Sequence, residues 1–188
     1  MEPKWYAIFA RYDDSNIYLD DDKYRDYYCQ NPKCNRLLTP FPEQNKLSSI
    51  KKLKKGFILL SSMNILLCSD SILNIISSYT KEDVYYKALN PNVSILQITS
   101  TCTINNELID ESPICSNCGI TLSRTYGRAF TNDKIKIFKY PDNEKSLICR
   151  TKIPMRDSSR ASYDLYANEK LINELKKTKC FDILECIT

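Results

Sequence analysis

Two cysteines separated by two residues, Cys115 and Cys118 in the run Pro113-Ile-Cys-Ser-Asn-Cys-Gly119, constrain the fold of this chain more than any other stretch. In a zinc knuckle that spacing lets both sulfurs reach one tetrahedral ion at about 2.3 Å. The trailing Gly119 can take the positive φ that turns the chain away beneath the metal. One knuckle supplies half a site. The other half falls to Cys29 and Cys34, in Tyr27-Tyr-Cys-Gln-Asn-Pro-Lys-Cys-Asn-Arg36, where an Asn-Pro turn keeps the two sulfurs close to one another. A Zn2+ ion shared by Cys29, Cys34, Cys115 and Cys118 would clip segments 27–36 and 113–120 together, closing a long loop that is otherwise costly to order.

Other readings of these thiols stand beside this one. A thioredoxin-like redox pair would be followed by a helix start, whereas Ile120-Thr-Leu-Ser-Arg124 offers none. Cys29 and Cys34 could be ordinary buried thiols, which are common in cores. That core role is the expectation for Cys68, Cys102, Cys149, Cys180 and Cys186, which mostly sit among apolar or β-branched neighbours.

A chain of 188 residues can bury one substantial core, so a single domain over 1–188 is expected. Nine cysteines, an odd number without a secretory signal ahead of them, point to a reducing, cytoplasmic setting. The most apolar window, 57–68, is interrupted by Ser61, Ser62 and Asn64 and falls short of the roughly 20 residues that span a bilayer. Histidine is absent, which removes the commonest general base and most catalytic metal sites. The three glycines, Gly56, Gly119 and Gly127, cannot form a phosphate-cradling loop. With no carboxylate pair standing out by spacing, the chain is read as a binding protein and not an enzyme.

Residues 4–11, rich in aromatic and β-favouring types, predict a first strand. In 12–28 six aspartates alternate with five tyrosines against Lys23 and Arg25. This run is either a solvated strand and turn or a docking surface, with Asp20, Asp21, Asp22 and Tyr24 as the candidate partner contacts. Tyrosines give large contact area at low entropy cost, and aspartates steer a basic partner. Residues 43–55 place Leu47, Ile50 and Leu53 at helical spacing, with the lysines read as that helix's solvated face.

An organisation near the middle recurs near the C-terminus. A shift of 99 positions lays Leu66 on Leu165, Ser69 on Asn168, Asp70 on Glu169, Ile72 and Leu73 on Leu171 and Ile172, Ile76 on Leu175, and Asp83 on Asp182. Each copy reads as strand, capped helix, strand, over about 64–90 and 163–187. Ser69 and Asn168 are the expected N-caps, and the shared apolar positions the expected core. Between the units, 93–104 is β-rich, 134–140 alternates like one half-exposed strand, and 150–160 reads as a basic loop. The fold class expected is α+β, with mixed or antiparallel sheets, two strand-helix-strand units and an embedded four-cysteine zinc knuckle site.

The order of these features, with Leu108-Ile-Asp-Glu-Ser-Pro-Ile114 leading into the knuckle and the C-terminal Asp164-Leu-Tyr-Ala-Asn-Glu-Lys-Leu-Ile-Asn-Glu-Leu-Lys-Lys177 followed by Phe181-Asp-Ile-Leu184, resembles the double-CXXCG immunity proteins. Those proteins are paired with polymorphic toxins in myxobacterial toxin-exchange systems. Cys115, Cys118 and Gly119 match the family's knuckle residue by residue, whereas Cys29 and Cys34 are separated by four residues and Asn35 stands where the glycine would be. The resemblance implies an immunity protein that binds and neutralises a cognate protein toxin, a nuclease being one such target, with zinc as a staple. The alternative is a zinc-ribbon nucleic-acid-binding or regulatory protein, for which the net charge of +4 and the lysine cluster speak.

Overall fold

The computed structural model describes residues 3–10, 29–31, 53, 57–60, 65–108, 110–111, 113–118, 124–125, 130–131, 134–136, 138–152, 155–157, 160–162 and 164–186. The largest sheet has six strands in the order β11 (Phe138–Pro141), β6 (Thr101–Ile104), β12 (Ile148–Thr151), β15 (Leu165–Asn168), β1 (Trp5–Ala10) and β16 (Phe181–Glu185). A second sheet orders β2 (Phe57–Leu60), β3 (Ile65–Ser69), β5 (Val93–Ile98) and β4 (Val84–Asn90). Shorter strands form the rest: β14 (Arg160–Ser162), β13 (Met155–Asp157), β8 (Arg124–Thr125) and β7 (Asp110–Glu111) in one sheet, β10 (Lys134–Ile135) and β9 (Phe130–Thr131) in another. Most pairings are antiparallel, with β12 on β6 and β13 on β8 parallel, so the molecule is mixed α+β.

The recurring sequence pattern corresponds to a recurring topology. Helix α1 (Asp70–Tyr79) connects β3 to β4, and both of those strands run antiparallel to β5, which lies between them. Helix α2 (Glu169–Thr178) connects β15 to β16, and both run antiparallel to β1. Each unit is thus a pair of parallel strands joined by a helix, as parallel strands require, with a third strand in the gap. The filler follows the first unit directly, whereas for the second it comes from the N-terminal segment.

Both helices form where apolar residues recur at helical spacing, and both bury the positions shared in the repeat: Ile72, Leu73 and Ile76 on one, Leu171, Ile172 and Leu175 on the other. They differ at their ends. The Asn168 side chain accepts a hydrogen bond from the Leu171 N–H at 3.2 Å, satisfying one of the open donors of the first turn. Ser69 occupies the matching backbone position, but its hydroxyl lies 2.8 Å from the Ser71 hydroxyl and makes no cap bond. At the C-terminus α2 carries Lys176 and Lys177 in its last turn, where the helix dipole favours them, and closes on Lys179 in the left-handed region at φ 56°.

The two helices share one core. Their buried faces meet Leu66, Leu96 and Ile98 of the four-stranded sheet and Ile8, Leu165 and Phe181 of the six-stranded one. Alternation along β1 then sends Trp5 and Ala7 to the opposite face. There Phe138 lies between Trp5 and Tyr166, with ring centroids 4.8 and 4.9 Å away, among Cys102, Cys149 and Cys186. Asp83, after α1, latches the first unit to the large sheet. Its carboxylate accepts hydrogen bonds from the hydroxyls of Thr80, Ser100 and Ser146 and from the Leu147 N–H just before β12. Burial alone would push this carboxyl up, yet those donors hold it below the usual carboxylate range.

Several expectations change. The apolar window 57–68 is a hairpin, with Phe57 opposite Cys68, in which the sequence marks only the second strand. Residues 134–140 form not one strand but two in different sheets, β10 pairing with β9 and β11 with β6. Phe138, buried between two rings, anchors β11 to the large sheet, and the register shift after it leaves both Lys139 and Tyr140 exposed, breaking the alternation. The expected basic loop over 150–160 contains the β13–β14 hairpin. Arg150 is committed internally, donating to the carbonyls of Ile98 at 2.8 Å and Thr151 at 3.0 Å. The expected helix over 43–55 lies outside the described residues apart from Leu53, which is buried. Among the described residues no helix is long and apolar enough to cross a membrane.

Candidate metal centre

Cys115 and Cys118 are placed by one short turn. Ile114 makes a bridge pairing, residues 116–118 turn, and the reversal brings the second thiol back beside the first. Cys29 arrives from far away in sequence, followed by Gln30 and Asn31. The Sγ atoms of Cys29, Cys115 and Cys118 all lie within 4.8 Å of one another, and Cys29 Sγ is 3.6 Å from Cys115 Sγ. That separation is far longer than the roughly 2.05 Å of a disulfide bond. Four sulfurs around a tetrahedral ion at about 2.3 Å stand about 3.8 Å apart, so the spread observed for these three fits one shared ion. Cys29 and Cys115 are buried and Cys118 half-buried.

The surroundings of Cys115 favour thiolate. Burial pushes its thiol up, but the backbone N–H groups of Cys118 and Asn117 donate to the sulfur, the thiols of Cys29 and Cys118 add to this, and the balance lowers its pKa to about 6. The Asn31 side chain donates as well, with Nδ2 3.3 Å from Cys115 Sγ. A thiolate is the form that binds metal. Thiolate sulfur is also the donor that suits zinc, against the oxygen donors preferred by calcium or magnesium.

Three of the thiols assigned to the core, Cys68, Cys149 and Cys186, behave in the opposite way. Burial, with the Asp70 charge, pushes Cys68 up to about 12, and burial is likewise the largest cause of the rise of Cys186 to about 12. Cys149, fully buried beside Cys102, is pushed up by burial and by that second thiol. These groups stay protonated and pack as small apolar side chains.

The structure therefore brings together three of the four expected ligands. Cys34, Gly119 and the candidate partner contacts Asp20, Asp21, Asp22 and Tyr24 lie outside the described residues. Sequence reasoning missed Asn31, treated there only as half of an Asn-Pro turn. A side-chain donor reaching across to the other cysteine segment leaves no trace in local spacing. It also missed the Asp83 latch, whose four donors come from three places in the chain. Comparison with family models, with curated proteins and with solved structures finds no match for this chain.

Proposed function

We propose that this chain is an immunity protein that binds and neutralises a cognate protein toxin, and that one structural zinc held by Cys29, Cys34, Cys115 and Cys118 staples its two cysteine segments together. The observation that carries this reading is the convergence of Cys29 on Cys115 and Cys118 from 86 residues away. A double-knuckle chain needs that meeting, and a lone redox pair or a scatter of core thiols does not. Cys34 completes the set in this proposal. A closed four-thiolate sphere leaves no position for water, so the metal serves architecture and the protein acts by binding and not by catalysis.

The toxin-facing surface proposed is the acidic, tyrosine-rich run containing Asp20, Asp21, Asp22 and Tyr24. Through residue 28 the chain carries seven acids against four bases. Such a segment suits a basic target, a nuclease above all, by taking the place of phosphate while the rings supply contact area. The test is co-expression with the product of each reading frame adjacent to the gene. A stoichiometric complex and protected cells are expected. No complex with either product, together with salt-dependent binding to DNA or RNA, would favour the zinc-ribbon alternative.

A further inference from the structure

The first cysteine pair departs from a compact knuckle in having four residues between Cys29 and Cys34 and no glycine behind them. The structure shows what one of those extra residues does. The Asn31 amide donates from Nδ2 to Cys115 Sγ at 3.3 Å, across 84 residues of sequence. Cys115 already receives the backbone N–H groups of Asn117 and Cys118 from its own knuckle. Those two donors belong to the turn and would be there whichever chain brought the other sulfurs. The Asn31 donor is different, because it exists only when segment 29–31 is docked against segment 113–118.

We propose that Asn31 is a positioning residue of the metal centre, a side-chain donor that holds the Cys115 sulfur in place and offsets its negative charge, and so ties the two cysteine segments together from outside the ligand set. Four thiolates around one divalent ion carry a net charge of −2, and N–H groups aimed at sulfur stabilise that excess where it is buried. Cys115 is buried, so water is poorly placed to do the same work. This assignment rests on the zinc reading above.

Three proteins separate a charge-offsetting donor from a mere loop residue: the wild type, Asn31→Ala and Asn31→Asp. Zinc affinity is measured by competition with a chromophoric chelator, and each protein is also loaded with Co2+ to record its thiolate-to-metal charge-transfer bands. Asn31→Ala should bind zinc about 10- to 100-fold more weakly, the usual effect of removing a partner of a metal ligand. Asn31→Asp keeps the shape but sets a carboxylate against a thiolate, so it should bind more weakly still. In Asn31→Ala the charge-transfer bands should move to lower energy, because a sulfur that has lost a hydrogen bond gives up electron density more readily. A role confined to loop shape would leave Asn31→Asp close to wild type and the bands of Asn31→Ala unmoved, and that result overturns the assignment while leaving the zinc reading intact. A wild-type protein that binds neither metal overturns both.

Discussion

Cys115 and Cys149 are the same residue type, both almost fully buried, and they sit at opposite ends of the thiol's range. Cys149 lies in a sheet interior beside aromatic rings and another thiol, where burial and that thiol keep the proton on. Burial pushes Cys115 up as well, but the backbone N–H groups of Cys118 and Asn117 and the thiols of Cys29 and Cys118 lower its pKa to about 6, and the Asn31 amide also donates to its sulfur. Burial alone therefore does not decide whether a cysteine is structural filler or a ligand. The donors that face the sulfur matter too, and here they include N–H groups of its own turn and a side chain on a distant segment.

Replacing both Cys115 and Cys118 by Ser should break the comparison most severely. Zinc content should fall to zero, and the melting temperature should drop and lose its sensitivity to chelator, because structural metal binding is part of the folding free energy. Zinc retained in that variant would remove the knuckle from the account. Leu171→Ala supplies the core reference. Leu171 has no exposed surface, so truncation should cost about 2 to 5 kcal/mol in denaturant unfolding while leaving zinc stoichiometry unchanged. Cys149→Ser should fall below that, at about 1 to 3 kcal/mol for a hydroxyl placed in an apolar site, again with full zinc content. Loss of zinc on changing Cys149 would show that the two thiol populations are not separate.

A separate effect is in pH. In the metal-free protein the Cys115 pKa is depressed from 9.0 to about 6, so its contribution to stability is present above 9 and is lost as pH falls through 6. Cys68 and Cys186 are raised from 9.0 to about 12, so their contribution is complete below 9 and is lost as pH climbs toward 12. The chelated protein should lose stability on both sides, and Cys115→Ser should flatten the acid arm alone. An acid arm unchanged in that variant would contradict the charge assigned to Cys115.

The parts of this molecule that were legible in sequence are those written by short-range periodicity. Ile72, Leu73 and Ile76 and their counterparts Leu171, Ile172 and Leu175 point inward because helical spacing leaves them no other common face. Trp5 and Ile8 divide between the two faces of β1 for the same kind of reason. What could not be read depends on partners far away. Nothing in residues 5–10 says that they fill the gap between β15 and β16. The break at Phe138 follows from the rings of Trp5 and Tyr166, and Asp83 and Asp182, matched in the repeat, end up buried and exposed because only the first meets Ser100, Ser146 and Leu147. The site divides likewise. Cysteine spacing announced the thiols that meet, Cys29, Cys115 and Cys118, while Asn31 became visible only once two distant segments lay side by side.

Metal analysis of protein purified without chelator, combined with X-ray absorption at the zinc edge, tests the central claim most directly. One zinc per chain with four sulfur neighbours at about 2.3 Å is the predicted result. A chain without zinc, or zinc surrounded by oxygen or nitrogen, would contradict the staple and with it the reading of Cys29, Cys34, Cys115 and Cys118 as a single site.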